Sequence, residues 1–196
     1  MKDIGFQQLN GVFRNGFIKS IQGLTITGTS DGSGAGTQTI TAIDPNNTIV
    51  LASGGTTTTA SGGGPVVTPQ WCGRLSMTST SVTAIARSTP LTAQLTIIEF
   101  FPGVIRSVQR GTISINADTQ SGTATIAQIN TAKSIVLHFG VDDSYTTYNL
   151  GCNIPQVTDR MFCWKFLLND STTVQASRSA AVGNAAVVGY QVVEWF

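Results

Sequence analysis

The residues able to do chemistry are few and poorly matched to one another. The only histidine is His138, in "IVLHFGVDD", where it precedes the acidic pair Asp142 and Asp143. A lone imidazole excludes a multi-histidine metal centre, and as a general base it would need an orienting carboxylate and a nearby nucleophile. The acidic pair lacks the glycine-punctuated acidic loop of a calcium site. Cys72, Cys152 and Cys163 are odd in number and fit neither zinc nor dithiol spacing, so reduced, partly buried thiols are expected. "GSGAG" at Gly32 to Gly36 reads as a hairpin tip and not as a strand-to-helix phosphate cradle. Glycoside hydrolysis needs two carboxylates facing one cleft, and Glu99 and Glu194 are the most conspicuous acids.

Those two acids occupy the same place in two copies of one phrase. Ile18, Ser20, Gln22, Thr25 and Ile26 recur as Ile105, Ser107, Gln109, Thr112 and Ile113, each 87 positions later. "TITAIDPNNTIVL" from Thr39 lies on "TIAQINTAKSIVL" from Thr125 at an offset of 86. Cys72 then meets Cys163, Arg74 meets Lys165 and Arg87 meets Arg178 at an offset of 91, and "LTIIEFF" closes the first copy as "YQVVEWF" closes the second. A position kept by duplication within a strand is a structural position. The expected role of each glutamate is therefore an ion pair within its own unit, Glu99 with Arg74 or Arg87 and Glu194 with Lys165 or Arg178. No catalytic, cofactor-binding or metal-ligating residue is assigned, and an enzyme is the disfavoured reading.

The elements that must carry these positions are strands. Thr, Ser, Gly, Val and Ile dominate, with short β-rich runs separated by turn residues, and helical spacing of Leu, Glu and Lys is missing. The expected fold is all-β: two tandem antiparallel β-sandwiches, Ig-like or jelly-roll, produced by an internal duplication. The expected boundaries are an arm at 1–16, a first repeat at 17–102 and a second at 103–196, each repeat a self-contained small domain. In the second repeat strands are expected near 104–110, 111–116, 123–129, 133–139, 161–168, 172–178 and 186–196. Alternation is clearest in "TTVQASR", where Val174 and Ala176 share a face. Gly111 inside a β run suggests a bulge or a bend where the chain crosses between sheets, and "AIDPNN" at Ala42 to Asn47 a turn.

The copies differ after Leu51 and Leu137. The loops expected at 52–70, rich in Gly and Thr, and at 138–156, with Asp142, Asp143, Tyr145 and Tyr148, are candidate contact surfaces. Packing against the neighbouring domain is the alternative for the second. In the unrepeated arm Phe6, Leu9, Val12 and Phe13 fall at helical spacing, and their apolar face needs a partner, either its own domain or a neighbouring subunit.

Charge narrows the partners. Only 11% of residues are charged and the net charge is +1, so no basic stripe exists to neutralise a phosphate backbone. No segment has the length of a membrane span and the first residues lack a signal-peptide core, which points to synthesis in cytosol.

The run "VIRSVQRGTISI", followed by "SGTATIAQINTAKSIVLHFG" and closed by "YQVVEWF", resembles a repeated module of structural proteins of tailed bacteriophages. The likeness covers nearly all of Val104 to Phe196 and, more weakly, Phe17 to Phe101. The first copy departs from the pattern at Gly23–Leu24, where Arg110–Gly111 stands in the second, and at "DPNNT" in place of "NTAKS". What the resemblance implies is a virion component, a tail, tail-tip or fibre-associated protein or a capsid decoration protein. It implies partners of the same kind: further copies of the chain as a trimer or hexamer, other virion proteins, and a host-surface glycan or receptor for the loops. It implies no cofactor, nucleic acid or membrane partner.

Overall fold

A computed structural model describes residues 16–27, 35–57, 66–68, 74–85, 91–143, 165–178 and 185–196. Among the described residues, regular structure is β apart from two single-turn 3-10 helices, Pro45–Asn47 and Thr131–Lys133. The first repeat contributes β1 (Ile18–Thr27), β2 (Ala35–Thr39), β3 (Thr48–Thr57), β4 (Val66–Thr68), β5 (Arg74–Met77), β6 (Ser81–Ile85) and β7 (Leu91–Phe100). The second contributes β8 (Ile105–Ile115), β9 (Ser121–Thr125), β10 (Ser134–Asp143), β11 (Lys165–Leu168), β12 (Thr173–Ser177) and β13 (Ala186–Trp195).

Each repeat forms two sheets in the same order. The inner sheets run β1-β7-β3-β4 and β8-β13-β10, and the outer sheets β2-β6-β5 and β9-β12-β11. The duplication read from sequence is thus, among the described strands, a duplication of topology. Alternation explains the layers: Val174 and Ala176 on β12 are fully buried while Thr173, Gln175 and Ser177 are half-buried, as a strand with one face on a core requires. Val82 and Ala84 on β6 do the same in the first repeat. The first core gathers Ile26, Val50, Leu75, Val82, Leu95 and Ile97, and the second Ile113, Ile115, Val174, Val188, Tyr190 and Val192. On β7 and β13 both faces find a partner, because Ile98 and Val193 point away from these cores into a third cluster between the repeats.

Several expectations change. Gly111 is no bulge: β8 runs unbroken through it, in register with Tyr190. The reason for glycine is close approach, since a Cβ there would lie 2.6 Å from the Tyr190 hydroxyl. Register shifts fall elsewhere, at Ile18/Ser20 on β1, Ala52/Gly54 on β3, His138/Val141 on β10 and Glu194/Trp195 on β13. The regions expected as loops are partly paired strand. β3 continues to Thr57 and pairs with β4, and β10 continues to Asp143 opposite Ala186. The turn at "AIDPNN" is the 3-10 helix Pro45–Asn47, with Asp44 accepting from the Asn46 amide at 2.9 Å as its cap.

The offset of 91 does not hold along β6 and β12. Thr39 pairs with Ser81 and its equivalent Thr125 with Thr173, so the offset on this strand is 92 (173 − 81), not 91. The cause is the preceding hairpin, which has residues 78–80 between β5 and β6 but residues 169–172 between β11 and β12.

Candidate functional site: the seam between the repeats

The duplicated glutamates anchor the same network twice. Glu99 is 2% exposed; it accepts from Lys19 Nζ at 2.8 Å, from the Asp44 amide at 3.0 Å and from Ser20 Oγ at 3.1 Å. Glu194 accepts from the Asn130 amide at 2.9 Å and Ser107 Oγ at 3.2 Å, with Arg106 Nη1 at 3.5 Å. The cation is thus Lys19 or Arg106, the residue before the serine of the opening strand, in place of the outer-hairpin cations expected from sequence. Geometry decides this, because β1 and β8 lie beside the strand that carries the glutamate, with Ser20 opposite Glu99 and Ser107 opposite Glu194. Arg74 and Lys165 begin the outer-sheet strands β5 and β11. Arg178 donates to Thr119 O at 2.9 Å and Asn116 O at 3.1 Å, and Arg87 lies outside the described residues. Burial works to raise the Glu99 carboxyl, but the hydrogen bonds from Lys19, Asp44 and Ser20 and the charge of Lys19 outweigh it and hold the group below its usual range.

The same duplication fixes the neighbouring turns. Gln22 clasps both polar groups of the Thr41 backbone and Gln109 those of Ala127. Thr48 and Ser134 each donate to the carbonyl of their cap residue, Asp44 and Asn130, at 2.7 Å. These polar positions hold the 3-10 turns onto the inner sheets and account for their retention in both copies.

Where the copies differ, the second repeat reaches into the first. Arg110 on β8 donates through Nη1 to Pro45 O at 3.0 Å and through Nη2 to Thr48 O, with its guanidinium 5.9 Å above the centre of the Phe139 ring. Burial pushes Arg110 down to about 10, which leaves it charged at neutral pH. Gln191, fully buried on β13, accepts from the Val50 amide at 3.3 Å and donates to Val50 O, so one side-chain amide pairs a backbone group of β3. Phe139, carried by the β10 bulge next to Gly140 at φ 92°, joins the core of the first repeat. Ile49, Ile105 and Val193 seal the seam beside Ile98, Val108 and Leu137, and Phe100 meets Trp195 edge-on with ring centres 5.5 Å apart. The repeats are therefore not self-contained.

The Arg110, Gln191 and Phe139 contacts are one-sided, whereas Phe100 and Trp195 are equivalent positions of the two copies. The residues in the first repeat equivalent to Arg110, Gln191 and Phe139 are Gly23, Thr96 and Ser53, each too short to make the reverse contact. Sequence reasoning missed all three; the signal was a large side chain in one copy facing a small one in the other.

His138 is neither a surface nor a strand-end residue. It sits within β10, its ring 5.5 Å from that of Phe166, and its buried Nε2 has no hydrogen-bond partner. Burial pushes the imidazole from 6.5 down to about 4. The unfolded chain then takes up a proton where the folded one does not, so the stability that depends on this ring is complete above about 6.5 and is lost as pH falls toward 4. The expected loss approaches 3 kcal/mol. Thermal unfolding followed from pH 7 to 4 should show a falling midpoint, and His138→Phe should flatten that fall.

Asp142 and Asp143 belong to β10 by their backbone, whereas Tyr145, Tyr148, the three cysteines and the arm residues Phe6, Leu9, Val12 and Phe13 lie outside the described residues. Among the described residues, no three His, Cys, Asp or Glu side chains gather as a metal site, and no helix is long and apolar enough to cross a membrane. What the geometry builds is an apolar seam between the repeats, edged by side chains that pair backbone groups. Comparison with protein-family models, with curated proteins and with solved structures found no match to the chain.

Proposed function

We propose that the protein is a non-enzymatic structural component of a tailed-phage virion, a tail, tail-tip or fibre-associated protein that assembles through symmetric contacts between copies and with other virion proteins. The observation that carries this reading is an edge used once and present twice. Ile49 at the start of β3 is 7% exposed because the second repeat covers it, whereas its equivalent Ile135 at the start of β10 is 43% exposed. The second repeat thus carries the same cap, turn and strand start as the docking edge of the first, with its apolar residue in solvent. A strand start whose apolar residue is covered in one repeat and bare in the other leaves an edge for a partner, which suits the trimer or hexamer that the sequence resemblance implies.

We read the connectivity of each repeat as jelly-roll-like. The last strand lies between the first and third in one sheet, while the second strand crosses to the other sheet beside the β5–β6 or β11–β12 hairpin. Capsid and tail proteins that pack in rings use such sandwiches by covering their edges with neighbours.

Light scattering on the full chain at micromolar concentration tests the reading. A trimer or hexamer is expected, and Ile135→Asp should reduce it to monomer without changing the β signal in circular dichroism. A monomeric wild type would sink the proposal.

A further inference from the structure

Three phenylalanines stand in solvent at one end of the molecule: Phe17 is 72% exposed, Phe101 46% and Phe196 65%. Backbone hydrogen bonds link them through the turn from Phe101 to Val104. The Phe101 amide donates to Phe17 O at 2.9 Å, the Val104 amide to Phe101 O at 3.3 Å and the Phe196 amide to Val104 O at 3.4 Å. The row spans about 15 Å at ordinary strand spacing. At the usual accessible area of a phenylalanine, the exposed part of the three rings comes to roughly 350–400 Å², the size of apolar patch that marks a contact site.

The chain supplies a matching segment at the same place. Residues 1–15 precede Phe17 and carry Phe6, Leu9, Val12 and Phe13 at helical spacing. Only Arg14, Asn15 and Gly16 separate Phe13 from Phe17. Phe13 is therefore held within about 14 Å of Phe17 in any conformation, and a helix from Phe6 to Phe13 is about 10 Å long, comparable to the row. So short a tether keeps this segment at an effective concentration that an untethered competitor at micromolar concentration does not reach.

We propose that residues 6–13 of the chain's own arm dock on the Phe17, Phe101 and Phe196 row, covering the end at which the two repeats meet. The contact is intramolecular and does not depend on the assembly reading. The docked arm joins the last strand of each repeat, through Phe101 and Phe196, to the chain that enters the first.

The test places photoreactive p-benzoylphenylalanine at position 13 of the full chain and irradiates it at sub-micromolar concentration. The expected product has the mass of a single chain, with cross-links mapping to residues 101–104 and 196, and Phe101→Ser with Phe196→Ser should lower its yield at least five-fold. Cross-links confined to other surfaces, products only of twice the chain mass, or no cross-link would each overturn the proposal. The oligomeric state of the same protein is read separately, so failure of this contact and failure of the assembly reading are distinguishable.

Discussion

Phe139→Ala is expected to destabilise the first repeat, although the residue belongs to the second. The ring fills a place in the first core, where Phe139 is 3% exposed among Ile40, Val50, Leu75 and Leu95. Truncating a buried phenylalanine costs about 3–5 kcal/mol, the transfer energy of the ring plus the cavity it leaves. A second loss adds to this, because Arg110 lies over the same ring and would face a void. Denaturant unfolding read at two sites, by hydrogen exchange on β3 and on β12, should show the larger loss of protection on β3. Equal loss on both strands would mean that the ring supports the molecule generally, and loss confined to β12 would refute its placement in the first core. Phe139→Leu, which keeps most of the apolar volume, should recover more than half of the stability.

Glu194→Ala carries the second large effect. The carboxylate is 3% exposed and holds the Asn130 amide and the Ser107 hydroxyl, both of which would lose their acceptor. An orphaned buried donor costs about 1–3 kcal/mol, and the emptied volume adds to it, so a total of about 3–4 kcal/mol is expected. Glu194→Gln retains one acceptor oxygen and should cost about half as much. The duplication supplies a comparison: Glu99→Ala removes the equivalent amide and serine bonds and also the 2.8 Å bond from Lys19, so its cost should equal or exceed that at Glu194. A cost near zero at either position, measured by equilibrium urea unfolding, would show that the network is ornamental.

How much of this was legible in the sequence depends on whether a contact lies within one repeat. Val174 and Ala176 were readable because a strand facing one core alternates. The glutamates were readable as structural because both copies keep them, but their partners were sought among Arg74, Arg87, Lys165 and Arg178. The retained cations at Lys19 and Arg106 were equally visible, one residue before the matched serines. Only pairing of the opening and closing strands picks them out, and strand order is not written in periodicity. Gly111 was misread for a related reason: the need for glycine comes from the Tyr190 ring on the neighbouring strand, not from the local backbone.

The seam was the least legible part. The polar contacts between repeats have no counterpart in the other copy, so their trace was a mismatch, Arg110 against Gly23 and Gln191 against Thr96. Such mismatches look like drift until the fold places them opposite a backbone edge. His138 against Ala52 is a mismatch of another kind, since its ring meets Phe166 within the second repeat.

The position of β13 also sets a timetable for the growing chain. β8 ends at Ile115 and β10 begins at Ser134, yet the strand that pairs with both starts only at Ala186. At ordinary ribosomal speed, β8 is made about 4–14 s before its partner and waits with its backbone groups unpaired. Ile113 and Ile115 are exposed to the same delay. The first repeat waits as well, since its core lacks Phe139 until the second repeat is under way. Nascent chains are therefore most vulnerable to mispairing with one another between these two moments, and a chaperone that shields an open sheet edge would raise the yield of soluble protein more than one that acts after the chain is complete.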